Sequence, residues 1–348
     1  MRSRWLFALA AVLLFGGGLT ARIGGAVLFG PITPAYDAPR SVYLPPDPSL
    51  DAALDSLTRA GVLASPATFR LAARATGWGA QLKSGHYRIR PRSSTYRLLD
   101  KLRRGLQDPV RLRLPAGRRA GALARTMGAG LRHDAHAFRA ALRDTALAAA
   151  LGTAPSRLFG YLLPETYEFY WEAPPERVVR RAKTAFDRFY ERELAAGAER
   201  HGFTKREVVT LASIVEQEAL FDAEKPRIAG VYLNRLRRGW PLQADPTVQY
   251  ALVDRGGERV TRVLYKHLEI DHPYNTYQIQ GLPPGPIANP SPSSLRAAAS
   301  PEQHDYFYFA ADGTGGHTFS RTLREHNRAA DKYQRLLDQR RADERSPE

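Results

Sequence analysis

One stretch of the chain carries its apolar residues at helical spacing more insistently than any other. Val208, Val209, Leu211, Ala212, Ile214, Val215 and Ala219 recur so as to predict a mostly buried helix. Two acids, Glu216 and Glu218, stand near the end of that run. Burial disfavours the charged form of a carboxyl group, so an acid placed here can stay protonated near neutral pH and donate a proton. Upstream, the same spacing predicts helices over 50–63, 66–76 and 94–105, the last opened by serine and closed by glycine, with a short strand over 85–89 between them. An alanine-rich helical stretch over 118–149 leads into the apolar segment 158–169. Residues 306–310 read as a strand, followed by the turn Asp312-Gly-Thr-Gly-Gly-His317. The proline- and glycine-rich segment 281–290 suits neither regular helix nor central strand and predicts a structured loop. The expected class is α+β.

The N-terminus departs from this amphipathic pattern. Residues 5–21 carry no charge and follow Arg2 and Arg4, which predicts a transmembrane anchor over 1–22 with its basic flank in the cytoplasm. A cleaved signal peptide ending at Gly24-Gly-Ala26 is the competing reading. Prolines break 23–48 into an extended linker. Compact modules are expected over 49–115 and 116–338, with a charged, frayed tail over 339–348.

With 43% apolar residues over 348, the chain can bury a substantial core. It has no cysteine, which removes disulfides and thiol catalysis. The net charge of +16 is concentrated: thirteen arginines and lysines stand against two aspartates between Arg88 and Arg132, a local excess of +11. A basic face attracts polyanions, but an exported domain meets lipid headgroups and cell-wall carboxylates rather than nucleic acid, and no nucleic-acid partner is expected. The bland alternative is that arginine sits wherever solvent allows.

Polar motifs crowd the region after the acidic pair: Asn234-Arg235-Leu236, Leu242-Gln243-Ala244-Asp245-Pro246-Thr247 and Pro273-Tyr274-Asn275-Thr276-Tyr277. Gln243, Asp245, Thr247, Asn275 and Tyr277, with Tyr274 and Thr276 in the same motif, are candidate contacts to sugar hydroxyl or N-acetyl groups, and Asn234 and Arg235 can orient them. Each of these also suits a structural hydrogen bond or turn. His317, delivered by its glycine turn, is a further candidate contact. His304, His317 and His326 lack the two-ligand spacing of a zinc helix and no Gly-x-Ser-x-Gly elbow occurs, so neither a metal, another cofactor nor a serine nucleophile is expected.

The strings ASIVEQE, YLNRL, LQADPTVQY, PYNTYQIQGLPPGPIANP and DGTGGHTF, in that order, resemble the YceG-like endolytic murein transglycosylases, strongly over 160–330 and more weakly over 41–160. The family commonly has Glu-Gly where this chain has Ala116-Gly117, and glycine where Asp47 stands, so no binding residue is assigned in that region. The resemblance implies a membrane-anchored, extracytoplasmic enzyme with a LysM-like glycan-binding module. Such an enzyme cuts the MurNAc-GlcNAc β-1,4 bond of nascent strands without water, leaving 1,6-anhydro ends. It further implies Glu216 as the single acid and base, with Glu218 supporting it or replacing it, and glycan strands, the inner membrane and cell-wall synthases as partners. Two acids two positions apart on a helix point to different faces, so they cannot flank one bond as a hydrolase pair does. The alternative function is a non-catalytic wall-binding scaffold.

Overall fold

The computed structural model describes residues 24–345. The expected N-terminal membrane helix falls outside them, and no helix among the described residues is long and apolar enough to cross a membrane. The chain divides into two units. One runs through Arg111 and takes back Glu168–Glu172; the other comprises Leu112–Tyr167 and Ala173 onward. The expected boundary at 115/116 thus lies a few residues late, and the brief return to the first unit has no counterpart in the sequence reading.

In the first unit, β1 (Arg40–Leu44) pairs antiparallel with β2 (Gly85–Ile89), Val42 opposite Tyr87. Between them lie α1 (Leu50–Arg59) and α2 (Pro66–Ala75), and α3 (Thr95–Arg103) follows. Serine opens each of the three helices: Ser49, Ser65 and Ser94 accept from a backbone N–H of the first turn, supplying a partner the helix itself lacks. Leu44, Leu57, Phe69, Tyr87, Leu99 and Leu102 form the core. The three helices and the strand expected here are all present, but the segment expected as linker over 23–48 contains β1, whose Val42 and Leu44 are buried in this core.

β3 (Val110–Arg113) pairs with β4 (Thr166–Phe169). The second unit is mainly helical. The helical stretch expected over 118–149 is three helices: α4 (Ala120–Gly130), α5 (Ala135–Arg143) and α6 (Thr145–Ala150). The division has a local cause, because Asp134 and Asp144 turn their carboxylates onto the N–H groups of Ala137 and Leu147 and so start new helices. After α7 (Pro155–Leu158) come α8 (Pro175–Phe189) and α9 (Ala195–His201).

The helix expected from the apolar run is α10 (Lys205–Glu218), opened by a reciprocal capping box in which Thr204 and Glu207 satisfy each other's backbone N–H groups. Val208, Val209, Leu211, Ile214 and Val215 are wholly buried, each stabilising the fold by roughly 1.5–3 kcal/mol. Around α10 pack α11 (Lys225–Arg237), α12 (Asp245–Asp254) and α14 (Pro292–Ala299), with the short α13 (Tyr265–Leu268) beyond α12. A hairpin closes the domain: β5 (Tyr308–Ala311) pairs with β6 (His317–Ser320) across a turn in which Asp312 accepts from Thr314 N and Gly316 N. The last helix, α15, spans Leu323–Arg345, so helix continues through most of the segment expected to fray.

Candidate functional site

A cleft of about 690 Å³ opens in the second unit beside the C-terminal end of α10. Gln217 and Glu218 form part of its wall, with Asp245 and Pro246 from the start of α12, Ile287 and Ala288 from the 281–290 loop, and the segment 117–119 leading into α4. Two buried side chains fix this loop and segment. Ser213, fully buried on α10, donates to Thr210 O and accepts from Ile287 N, 3.0 Å away. Asn289, also fully buried, accepts from Arg118 N at 2.7 Å and donates to Pro115 O at 2.9 Å. Gly117 has φ +68°, a backbone angle that favours glycine, and a Cβ there would lie 3.0 Å from the side-chain nitrogen of Gln217 on α10. None of these three was singled out from the sequence. For Ser213 the signal was available: a hydroxyl inside an otherwise apolar helical run needs a partner.

The acidic pair divides as its spacing requires. Glu216, expected to meet the substrate, turns instead toward the N-terminus of α14, and it does not line the cleft. Its Oε2 accepts from Ser291 N at 3.1 Å, from the Ser291 hydroxyl, and from Ser294 Oγ at 2.5 Å, and it pairs with Lys225 Nζ at 3.2 Å. An anion at a helix N-terminus is favoured by the unpaired N–H groups and the helix dipole. Lys225 is itself only 5% exposed and also meets Asp222 at 2.7 Å and the hydroxyls of Ser291 and Ser293. Through Oε2, Glu216 therefore ties α10, α11 and α14 together, and it is Glu218 rather than Glu216 that stands in the cleft wall.

Glu218 is the carboxyl group that reaches the cleft. Burial pushes its pKa up to about 7, Asp245 adds to the rise by repulsion, and a hydrogen bond donated by Tyr232, 2.9 Å away, opposes it. Its place at the last residue of α10 acts in the same direction as burial, because the negative end of a helix disfavours a carboxylate. Tyr232 is buried and its phenol is held well above the usual range, so it keeps the hydrogen that it donates to Glu218. Asp245 accepts from the Tyr277 hydroxyl at 2.7 Å, and burial together with this bond raises the Tyr277 phenol as well.

Of the other residues expected to bind substrate, Asp245 lines the cleft and Tyr277 stands one hydrogen bond behind it. The other expected residues lie outside the cleft wall. Asn275 is fully buried, donating to Leu268 O and Ile270 O and accepting from Tyr277 N, so its whole amide is spent on one turn. Thr247 and Thr276 are fully buried and hydrogen-bonded to each other at 2.8 Å, and Thr276 accepts from Ala244 N. Tyr274 is buried with its ring 4.5 Å from that of Tyr250. Asn234 gives both amide hydrogens to the carbonyls of His304 and Tyr306. Gln243 adopts φ +51° and accepts from Arg235, which also binds Leu242 O and Phe307 O. His317 pairs with Glu224 at 2.8 Å and is not part of the cleft wall. In these motifs the polar side chains mainly hold irregular backbone in place, since buried carbonyl and N–H groups outside helices and strands need side-chain partners. Among the described residues, no group of three histidines, aspartates or glutamates converges to hold a metal ion.

The sequence profile of the YceG-like family matches residues 42–332. An endolytic murein transglycosylase of Bacillus subtilis is 43% identical over 176 residues, which are 51% of this chain and 48% of that protein. One from Streptococcus pneumoniae (strain D39) is 30% identical over 292 residues, covering 76% of this chain and 52% of its own length. The chain thus spans about half the length of the curated relatives it matches. A crystal structure of a yceG-like protein from Listeria monocytogenes superposes with a TM-score of 0.58 at 31% identity, over 83% of this chain and 98% of the other. With a profile match over most of its length, the chain belongs to the YceG-like family.

Proposed function

We propose that this chain is an endolytic peptidoglycan transglycosylase, anchored in the inner membrane by residues 1–22 with its catalytic domain outside, and that Glu218 is its single acid and base. The observation that carries this reading is the Glu218 carboxyl: it lines the cleft, titrates near neutrality and is steadied by the Tyr232 hydroxyl. Protonated Glu218 donates to the bridging oxygen between MurNAc and GlcNAc as the bond from that oxygen to the muramyl C1 breaks. The Glu218 carboxylate then takes the proton of the same muramyl residue's C6 hydroxyl as O6 bonds to C1. No water enters, and a 1,6-anhydro end results. An intramolecular nucleophile already held near C1 gives the ring closure its proximity advantage. Asp245, held by Tyr277, supplies negative charge on the same wall for the developing positive charge of the ring.

The names of the curated relatives support the reaction class. The alternation of short helices and strands in the first unit supports a LysM-like glycan-binding role for it. Cell-wall synthases are the partners such an activity would serve. The test is mass spectrometry of uncrosslinked glycan strands after incubation with the protein. New anhydro-muramyl ends support the reading, reducing ends would indicate hydrolysis, and binding without cleavage would leave a scaffold.

A further inference from the structure

The reaction proposed above makes no use of the cleft wall opposite in charge to Glu218 and Asp245. Five arginines line it: Arg118 and Arg119 just before α4, Arg125 within that helix, and Arg259 and Arg262 on the loop after α12. Among the described residues, none of the five has a carboxylate within ion-pair distance. Elsewhere in the same unit some arginines are paired, as Arg296 is with Glu193 and Arg227 with Glu302; what sets these five apart is that they line one concavity. Like charges gathered around one concavity repel; at Arg119 burial is the main cause that lowers the pKa, and nearby Arg259 adds to it against the raising effects of Tyr250 and Asp254. Such an arrangement is disfavoured in the empty protein and relieved by an anion.

The wall is held in place rather than left to solvent. Arg119 lies over the Tyr250 ring at 4.7 Å, Arg118 is fixed through its backbone by Asn289, and the Nε2 of Gln249 donates to Val260 O at 2.7 Å, between Arg259 and Arg262. Gln249 also lines the cleft, and its buried side-chain oxygen has no hydrogen-bond partner among the described residues. An unsatisfied buried acceptor beside five unpaired donors fits a ligand that brings both carboxylates and N–H groups.

We infer that this arginine wall is a specificity site that binds the carboxylates of the peptide stems on the muramyl residues next to the cleaved bond, with Gln249 accepting from a stem amide. The inference rests on the peptidoglycan reading above. It follows from the substrate's own layout: the lactyl arm of MurNAc projects its peptide from the ring being cut, so stem carboxylates must lie within a few residues' reach of Glu218. Guanidinium groups suit them because each offers parallel N–H donors that match a carboxylate.

The test measures binding without turnover. Full-length Glu218→Gln protein in detergent is titrated with end-labelled, uncrosslinked strands whose stem amines are acetylated. One preparation keeps its stem carboxylates; in the other they are converted to methylamides of nearly the same size. The expected result is at least about tenfold tighter binding of the carboxylate strands, weakening as salt is raised. Adding Arg125→Gln, Arg259→Gln and Arg262→Gln together should bring the two affinities within about threefold, whereas the three lysine replacements should retain most of the preference. Equal binding of both strands by the starting protein would overturn the inference. So would a glutamine triple variant that keeps the preference, or one that loses both strands equally, which would mean that the arginines hold the sugar. A chain that shows the preference yet leaves no anhydro ends in its Glu218 form would overturn the enzymatic reading and not this one.

Discussion

Tyr232 donates its phenolic hydrogen to Glu218 over 2.9 Å, from α11 to the last residue of α10. The bond reaches the acid from the protein side, leaving the carboxyl group to line the cleft with Asp245. Glu216, one half-turn earlier, has the opposite fate, with one oxygen committed to Ser291, Ser294 and Lys225.

The first prediction separates the two acids. Glu218→Gln should abolish formation of anhydro ends while leaving the melting temperature unchanged or higher. Glu216→Gln should do the reverse, costing on the order of 3 kcal/mol because buried Lys225 loses part of its counter-charge, with turnover retained well below the melting point. Thermal melts and product mass spectrometry on both variants check this. An active Glu218→Gln protein beside an inactive, stably folded Glu216→Gln protein would reverse the assignment.

The pH dependence follows from the acid that must be protonated. With the Glu218 pKa at about 7, activity should fall as pH rises through that value. Tyr232→Phe removes a bond that favours the carboxylate and should move this limb to higher pH; Asp245→Ala removes a repelling charge and should move it lower. Rate profiles from pH 5 to about 9 read the shifts. If the limb stayed fixed in both variants, a group other than Glu218 would set it.

The same raised pKa makes a statement about stability. Its folded value lies above the unfolded one, so the folded state binds the proton more tightly between the two. The carboxylate therefore costs nothing below the unfolded pKa and its full penalty above about pH 7. Glu218→Gln should accordingly gain little at pH 4 and up to roughly 3 kcal/mol at pH 9. Denaturant melts at the two pH values measure it, and a gain independent of pH would refute the linkage.

The buried polar residues of the 273–277 motif should behave as structure. Asn275→Ala strips partners from Leu268 O and Ile270 O and should cost on the order of 1–3 kcal/mol, with activity recovering on cooling. Activity lost at low temperature in a folded protein would return Asn275 to the substrate.

Topology has its own measurement. A reporter fused at the C-terminal end should be active only outside the inner membrane, and N-terminal sequencing of the membrane fraction should find residues 5–21 retained. A soluble chain beginning near Val27 would favour a cleaved signal.

Local patterning was enough for much of this protein. The spacing of Val208 to Val215 specified α10, Ser94 specified where one helix of the first unit starts, and the order of the polar motifs specified the family, because these features depend only on neighbours along the chain. Which acid faces the cleft did not follow from sequence. Glu216 and Glu218 share a helix end and an apolar approach, and what tells them apart is Ser291 from α14 on one side and Tyr232 from α11 on the other, 75 and 14 residues away. Asn275, Thr247 and Thr276 look like sugar contacts in a linear motif for the same reason. Their hydrogen-bonding capacity is visible in the sequence, but whether it is spent on backbone or left for a ligand depends on partners brought together only by folding. The arginine wall is the clearest case: Arg118, Arg119 and Arg125 belong to a basic stretch, Arg259 and Arg262 lie more than a hundred residues later, and only tertiary structure makes them one surface.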